Sequence, residues 1–257
     1  MTYCCGILVR DGLVMFADTR TNAGVDNIST FRKLHVFSNP GERILAIASA
    51  GNLSISQSVV SMLREGCENE EMGGAETLMN APTLFQAAQR VGRTVRTIFN
   101  EEGKTLEAAD VKFDVSLLLG GQIKGERPRL FMLYPAGNFI ECTRDTPYLQ
   151  IGEHKYGKPV LDRAITFDSD LYDALKVGLV SVDSTMRSNL SVGLPLDILW
   201  CGATPVKPRS TTASNPESRI STTCANAGRR RCVRRTPPFR GRPTRPMADY
   251  LPRCRQA

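Results

Sequence analysis

TYCCGILVRDGLVMFADTRTNAG, residues 2–24, decides the fold. Two apolar runs, TYCCGILV and LVMFA, flank Arg10-Asp11-Gly12, and Asp-Gly between two such runs is a strong hairpin signal. The first strand therefore begins at residue 2, at an end that frays in most chains. A terminus tied into a sheet is held in place, and Thr2 is the residue held there.

The pattern repeats outward. KLHVF (33–37) and RILAIASA (43–50) predict a second hairpin around Asn39-Pro40-Gly41-Glu42. Asn52 suits a helix N-cap, and Leu53, Val59, Val60 and Leu63 carry a helix to about Arg64. CENEEMGGAETLMNA (67–81) is polar, acidic and glycine-containing, and reads as a loop. From Pro82-Thr83 a second helix continues through LFQAAQRVGRTVRTIF, apolar at 84, 85, 88, 91, 95, 98 and 99.

Strands return at 114–123, 129–134 and 138–143, the last two joined by Pro135-Ala136-Gly137, and again at 148–152. Helices are expected near 157–165 and over 168–189, and a final strand at 196–201. The order is strands, two helices, strands, two helices, strand. That is an α+β chain; two antiparallel sheets, each covered by a pair of helices, satisfy it, and alternating βαβ units do not.

At 257 residues the chain can bury a sizeable core as one large or two small domains. No apolar run approaches the roughly 20 residues of a membrane helix. Neither is there a charged-then-apolar leader with a cleavage site, which leads us to expect a cytoplasmic protein. The net charge of +7 is unevenly placed. Residues 201–257 hold 13 of the 33 Lys and Arg but only 2 of the 26 Asp and Glu, so residues 1–200 carry −4. A body that grips nucleic acid would carry its basic patch on the fold, so nucleic acid is not the expected partner.

Eight of the 15 prolines also fall in 201–257, with the run GRRRCVRR and almost no aliphatic periodicity. Such a segment cannot bury enough apolar surface to offset its ordering entropy. We expect a packed domain over 1–201 and a basic Pro/Arg-rich tail over 202–257. The tail is either a disordered segment that touches acidic partners or the product of a shifted reading frame. The eight cysteines (4, 5, 67, 142, 201, 224, 232, 254) include no C-x-x-C pair and no zinc-like Cys/His spacing. They are expected to be reduced, mainly buried thiols, with adjacent Cys4 and Cys5 on opposite sheet faces.

Thr2 is the first candidate for chemistry. A threonine hydroxyl is a weak nucleophile that needs a base. With Met1 removed, Thr2 supplies its own, an α-amine of reference pKa roughly 7.7–8.0. Many proteins begin Met-Thr, so Thr2 alone is weak evidence. Asp18, ending the second strand, and Lys33, opening the third, strengthen it, because strand ends of one sheet can converge on that terminus. A buried Lys beside Thr2 would favour the deprotonated amine and alkoxide, and Asp18 would hold the Lys. The same charges also suit solvated turns. SAGN (49–52) places Gly51 between strand and helix, where a backbone N–H can approach an oxyanion; an ordinary strand-to-helix turn looks the same.

GEHKYGKP (152–159) mimics a P-loop, but Pro159 stands where Ser or Thr must ligate Mg²⁺. We read it as an ordinary loop. His35 and His154 have neither a second His nor clustered Cys beside them, and are expected to be structural; no metal or cofactor is expected.

Thr2, FADTRTNAG, K-x-x-x-F and SAGN, in that order, resemble a proteasome-type peptidase, and more narrowly the bacterial ancestral β-subunits called Anbu. GLVMFADTRTNAGVDNISTFRKLHVF and YLQIGEHKYGKPVLDRAI carry the narrower likeness, over about residues 2–201. The resemblance implies an N-terminal-nucleophile hydrolase fold, a four-layer αββα sandwich, and assembly into homo-oligomeric rings or ring-like spirals. It also implies metal-free hydrolysis of peptide or unfolded-protein substrates. On this chain it makes Thr2 the nucleophile, Asp18 and Lys33 the groups that tune it, Gly51 the oxyanion donor and Thr21 a substrate-pairing residue. A late proteasome stretch, R-D-x-x-S-G, is represented by Arg187-Ser188-Asn189-Leu190-Ser191-Val192-Gly193: Ser191 matches the serine, while Ser188 replaces the aspartate. An expected Gly-Ser-Gly-Ser segment is Gly152-Glu153-His154-Lys155. An amidase of the same fold and a catalytically weak assembly subunit remain the alternatives.

Overall fold

The computed structural model describes residues 1–22, 28–69, 74–202 and 209–213. The first hairpin pairs β1 (Tyr3–Val9) with β2 (Gly12–Asp18), and Val9 faces Gly12 across a two-residue turn, Arg10-Asp11. Gly12 thus belongs to the strand rather than the turn. A Cβ there would stand 2.2 Å from the carbonyl oxygen of Cys201, so a side chain would push the neighbouring strand away.

A short ribbon, β3 (Arg20–Asn22) with β4 (Ile28–Thr30), precedes the second hairpin, β5 (Leu34–Asn39) with β6 (Arg43–Gly51). Helix α1 (Leu53–Glu65) starts where expected, because the Asn52 side chain accepts from the Ser54 N–H. The segment read as a loop is a small hairpin, β7 (Cys67–Asn69) with β8 (Gly74–Glu76), followed by a 3₁₀ turn at Leu78–Asn80. Its strands are three residues long and polar, too short for an alternation to register.

Helix α2 (Leu84–Ala108), capped by Thr83, runs nine residues past the periodic stretch ending at Phe99. That extension, NEEGKTLEA, has Leu106 as its one large apolar residue, so it shows no apolar stripe, while its three Glu and one Lys are good helix formers. Strands β9 (Val115–Ile123), β10 (Arg129–Leu133), β11 (Phe139–Glu141) and β12 (Tyr148–Gly152) follow. Helix α3 (Lys158–Ala164) and helix α4 (Leu171–Ser188) come next, the latter capped by Asp170, then β13 (Leu196–Gly202) and β14 (Arg209–Ala213). β14 lies beyond residue 201, at which the packed domain was expected to end; the rest of the expected tail, 203–208 and 214–257, lies outside the described residues.

The strands form two five-stranded antiparallel sheets, ordered β12-β1-β2-β13-β14 and β11-β10-β9-β6-β5. Side-chain alternation sorts the core into three layers. Cys4, Leu13, Met15 and Ala17 point from the first sheet onto Ile44, Ala46, Ala48 and Leu118 of the second. Tyr3, Cys5, Ile7, Val14 and Phe16 point the other way, onto α3 and α4. Leu45, Ile47, Leu117 and Leu119 meet α1 and α2. This is the four-layer αββα sandwich of the N-terminal-nucleophile hydrolases. Cys4 and Cys5 fall on opposite faces as expected, and Cys4, Cys5, Cys142 and Cys201 are all buried, free thiols.

Burial on both faces is why β1 and β2 are nearly unbroken apolar runs. Gly6 and Gly120 bring the sheets close: a Cβ would lie 2.7 Å from Leu130 at the first and 2.7 Å from the Met15 sulfur at the second. On the outer side Gly178 of α4 sits on the Phe16 ring, where a Cβ would be 2.2 Å away.

Candidate active site

The site grows from the start of β1. The Thr2–Tyr3 peptide is gripped on both sides: the Thr2 carbonyl accepts from the Glu153 N–H at 2.7 Å, and the Tyr3 N–H donates to Asp18 Oδ1 at 2.9 Å. Gly152 makes the first contact possible. Its φ is +84°, and a Cβ there would stand 2.0 Å from the Thr2 carbonyl oxygen. Met1, ahead of this grip, is 68 % exposed.

Asp18 is fully buried at the end of β2. Its Oδ1 also accepts from Lys33 Nζ at 2.9 Å, and Lys33 Nζ donates to the Arg20 carbonyl at 2.6 Å. Burial pushes the Asp18 carboxyl above its ordinary range; Lys33 and the N–H groups of Tyr3 and Gly193 pull the other way. Oδ1 thus accepts from two donors at once, one of them the Lys33 ammonium.

One expectation needs correction. Asp18 and Lys33 do not converge as strand ends of one sheet. Asp18 belongs to the sheet of β1, whereas Lys33 precedes β5 of the other sheet, its carbonyl accepting from the Ser49 N–H. The ion pair therefore bridges the layers. The β3–β4 ribbon, which the sequence reading did not anticipate, lies between the two residues in the chain.

Gly51 ends β6 and is exposed, with φ +105°. A Cβ there would lie 2.4 Å from the Asp114 carbonyl oxygen, so glycine is required by backbone approach whatever else it does. The Cys4 thiol donates to the Ser49 carbonyl at 3.5 Å, which sets β1 against β6; Thr2 lies two residues before Cys4, just ahead of β1, and Gly51 two residues after Ser49, at the end of β6. Thr21 sits in β3 opposite Ser29. Ser191 lies in the loop between α4 and β13, its N–H donating to Asn189 Oδ1 at 3.0 Å. Ser188 ends α4 and is exposed. Arg20 closes this corner: its guanidinium donates to the Leu190 carbonyl at 3.0 Å and lies over Gly193, where a Cβ would stand 2.4 Å from Cζ. Its part was hidden in FADTRTNAG because nothing local distinguishes it from a turn charge.

The P-loop mimic is structural. Gly157 is needed because a Cβ would strike Ser181 Oγ and the Tyr3 ring, each at 2.6 Å, and Lys158 is paired with Asp162 at 2.7 Å. His35 lies in β5, where burial first, then Arg64 and Arg32, hold its imidazole down to a pKa of about 4. Among the described residues no group of three His, Cys, Asp or Glu is placed to hold a metal ion, and no described helix is long and apolar enough to cross a membrane.

The buried Asp18–Lys33 pair thus lies behind Thr2 in a four-layer sandwich, and the proteasome subunit family model matches residues 2–200. The chain belongs to that family. Within it the resemblance is to the ancestral β-subunits, Anbu. Anbu from Yersinia bercovieri is 49 % identical with a TM-score of 0.73, over 83 % of this chain and 88 % of that one. The helical assembly of the Anbu complex from Pseudomonas aeruginosa is 45 % identical, TM-score 0.77, over 84 % and 88 %. The Gly-1 mutant of Anbu from Hyphomicrobium sp. strain MC1 is 46 % identical, TM-score 0.76, over 84 % and 88 %. No match was found among curated proteins.

Proposed function

We propose that the chain is a threonine-type peptidase subunit that works within a homo-oligomer. Once Met1 is removed, the Thr2 α-amine takes the proton from Oγ1, and Oγ1 adds to the peptide carbonyl carbon. The Gly51 N–H receives the developing oxyanion, and Thr21 pairs with the extended substrate. The amine then returns its proton to the leaving amine, leaving an ester on Thr2. Water, deprotonated by the same amine, hydrolyses that ester. Lys33 supplies the positive field that favours the alkoxide, Asp18 fixes Lys33, and Ser191 supports the threonine from the α4–β13 loop.

The observation that carries this reading is the shared Asp18 oxygen. It is buried, it holds Lys33, and it holds the N–H immediately after Thr2. Such a pair is costly to bury and is justified by a task beyond packing. Assembly is supported by the Pseudomonas relative's description as a helical assembly. Exposed Tyr172 and Val180 on α4 and Leu190 beyond it add apolar surface for a subunit contact to cover.

Intact mass and N-terminal sequencing of the purified protein test the reading first, followed by fluorogenic peptides and an electrophile that captures an N-terminal threonine. A free Thr2, peptide cleavage and its loss by at least about a thousandfold in Thr2→Ala are expected. A retained Met1 or an acetylated amine overturns the mechanism. Turnover of small amides with no cleavage of extended peptides would make the chain an amidase instead. No labelling and no effect of Thr2→Ala would make it an assembly subunit. The same spectrum reads the length of the segment after 202.

A further inference from the structure

The two stretches that depart from the proteasome pattern, Gly152–Lys155 and Arg187–Gly193, meet at Glu153. This residue is 6 % exposed, and every polar part of it is engaged. Its N–H holds the Thr2 carbonyl, and its carbonyl accepts from Gln150 Nε2 at 2.7 Å. Its Oε1 accepts from the Lys155 N–H at 2.9 Å and its Oε2 from Asn189 Nδ2 at 2.8 Å. Asn189 Oδ1 in turn accepts from the Ser191 N–H, while Asp18 holds the Tyr3 N–H on the other side of Thr2.

The contacts run as one path from Asp18 through the Tyr3 N–H to Thr2, and on through Glu153 and Asn189 to the Ser191 loop. Glu153 is the only link in it joined to Thr2 through its backbone and to the opposite loop through its side chain. We propose that Glu153, acting through Asn189, is the positioning residue that sets Thr2 relative to Asp18 and Ser191. Its effect on rate rests on the peptidase reading; its effect on the position of Thr2 does not.

The donor count explains why the residue is a carboxylate. Both oxygens face N–H donors, and an ionised carboxylate is acceptor on both sides. Glutamine would turn an NH₂ towards either the Lys155 N–H or the Asn189 NH₂, and a flipped Asn189 would then turn its own NH₂ towards the Ser191 N–H. The pair Glu153→Gln with Asn189→Asp removes the conflict: Gln Nε2 donates to one Asp oxygen, the other Asp oxygen accepts from Ser191, and Gln Oε1 still accepts from Lys155. Asn189→Asp alone sets two carboxylates face to face.

Both single variants and the double variant are compared with the wild type. One measurement is hydrogen exchange at the Tyr3 amide; the other is kcat and KM on a fluorogenic peptide. Each single variant is expected to lower kcat roughly tenfold to a hundredfold, with KM held within about twofold. Tyr3 exchange should quicken, and the double variant should recover most of both. A folded Glu153→Gln variant with wild-type kcat and Tyr3 protection overturns the proposal. So does a double variant no better than the worse single. If the wild type cuts no peptide, the peptidase reading has failed, and Tyr3 protection alone decides this one. If the single variants do not fold, the double decides: Tyr3 protected as in the wild type supports the proposal, and Tyr3 unprotected in a folded double overturns it.

Discussion

β1 has an ion pair at each end, and the two are different objects. Where the strand starts, Lys33 and Asp18 meet with side chains 6 % and 0 % exposed. Just past its other end Arg10 meets Asp168, which also takes Arg144 at 3.0 Å, all of them substantially exposed. Charge at the far end is solvated, and its pairing adds little to stability. At the Thr2 end the same chemistry has been taken out of water, where it is expensive to keep and more expensive to break. Packing would be served as well by two apolar side chains. Under the proposed peptidase reading, the buried pair marks the catalytic end of the sandwich.

The sharpest way to break this contrast is Lys33→Ala, which leaves the Asp18 carboxyl buried without its cation. We expect a loss of about 3–5 kcal/mol in urea unfolding, against near-neutrality if the pair were only decorative. Gly51→Ala comes next, at about 2–3 kcal/mol, because its Cβ must push the Asp114 backbone aside at a positive φ. His35 is the intermediate case, half-buried between Arg32 and Arg64. Its folded pKa of about 4 lies below the ordinary 6.5, so between those values the unfolded chain takes up a proton that the folded chain refuses. Stability from this group is present above pH 6.5 and lost as pH falls towards 4. Allowing for solvent screening the loss is about 1 kcal/mol, seen as a steeper fall in Tm for the wild type than for His35→Gln. The smallest effect belongs to Asp168→Asn, under about 1 kcal/mol, and smaller still in high salt.

What the chain disclosed of itself follows the same division between local and distant. Hairpins around Arg10-Asp11 and Asn39–Glu42, and caps at Asn52 and Thr83, are written within a few residues, and so the elements were legible. Whatever depends on partners far along the chain was not. Nothing near Tyr3 says that it pairs with Gly152, nor near Ala17 that it faces Asp197. The three-residue strands β3, β4, β7 and β8 are too short to show a period, and β14 follows a stretch with no apolar pattern. Thr2, Asp18 and Lys33 could be named because they sit at recognisable strand ends, but the sheet to which Lys33 belongs could not. Glu153 carried no signal except as a departure from a pattern, since a glutamate in a Gly-rich loop is ordinarily a solvated one, and Asn189 carried none.

The sheet order also sets a timetable. β1 and β2 are made first, yet their outer partners are β12 and β13, and β13 starts 178 residues after the end of β2. At roughly 5–20 residues per second of synthesis, the hairpin waits on the order of 10–40 s for its flanks. Asp18 reaches the Tyr3 N–H within the first hairpin, but the Thr2 carbonyl has no donor until Glu153 is made. A nascent chain therefore carries a terminus held by one hand only, and its candidate nucleophile is fixed in place among the last events of folding.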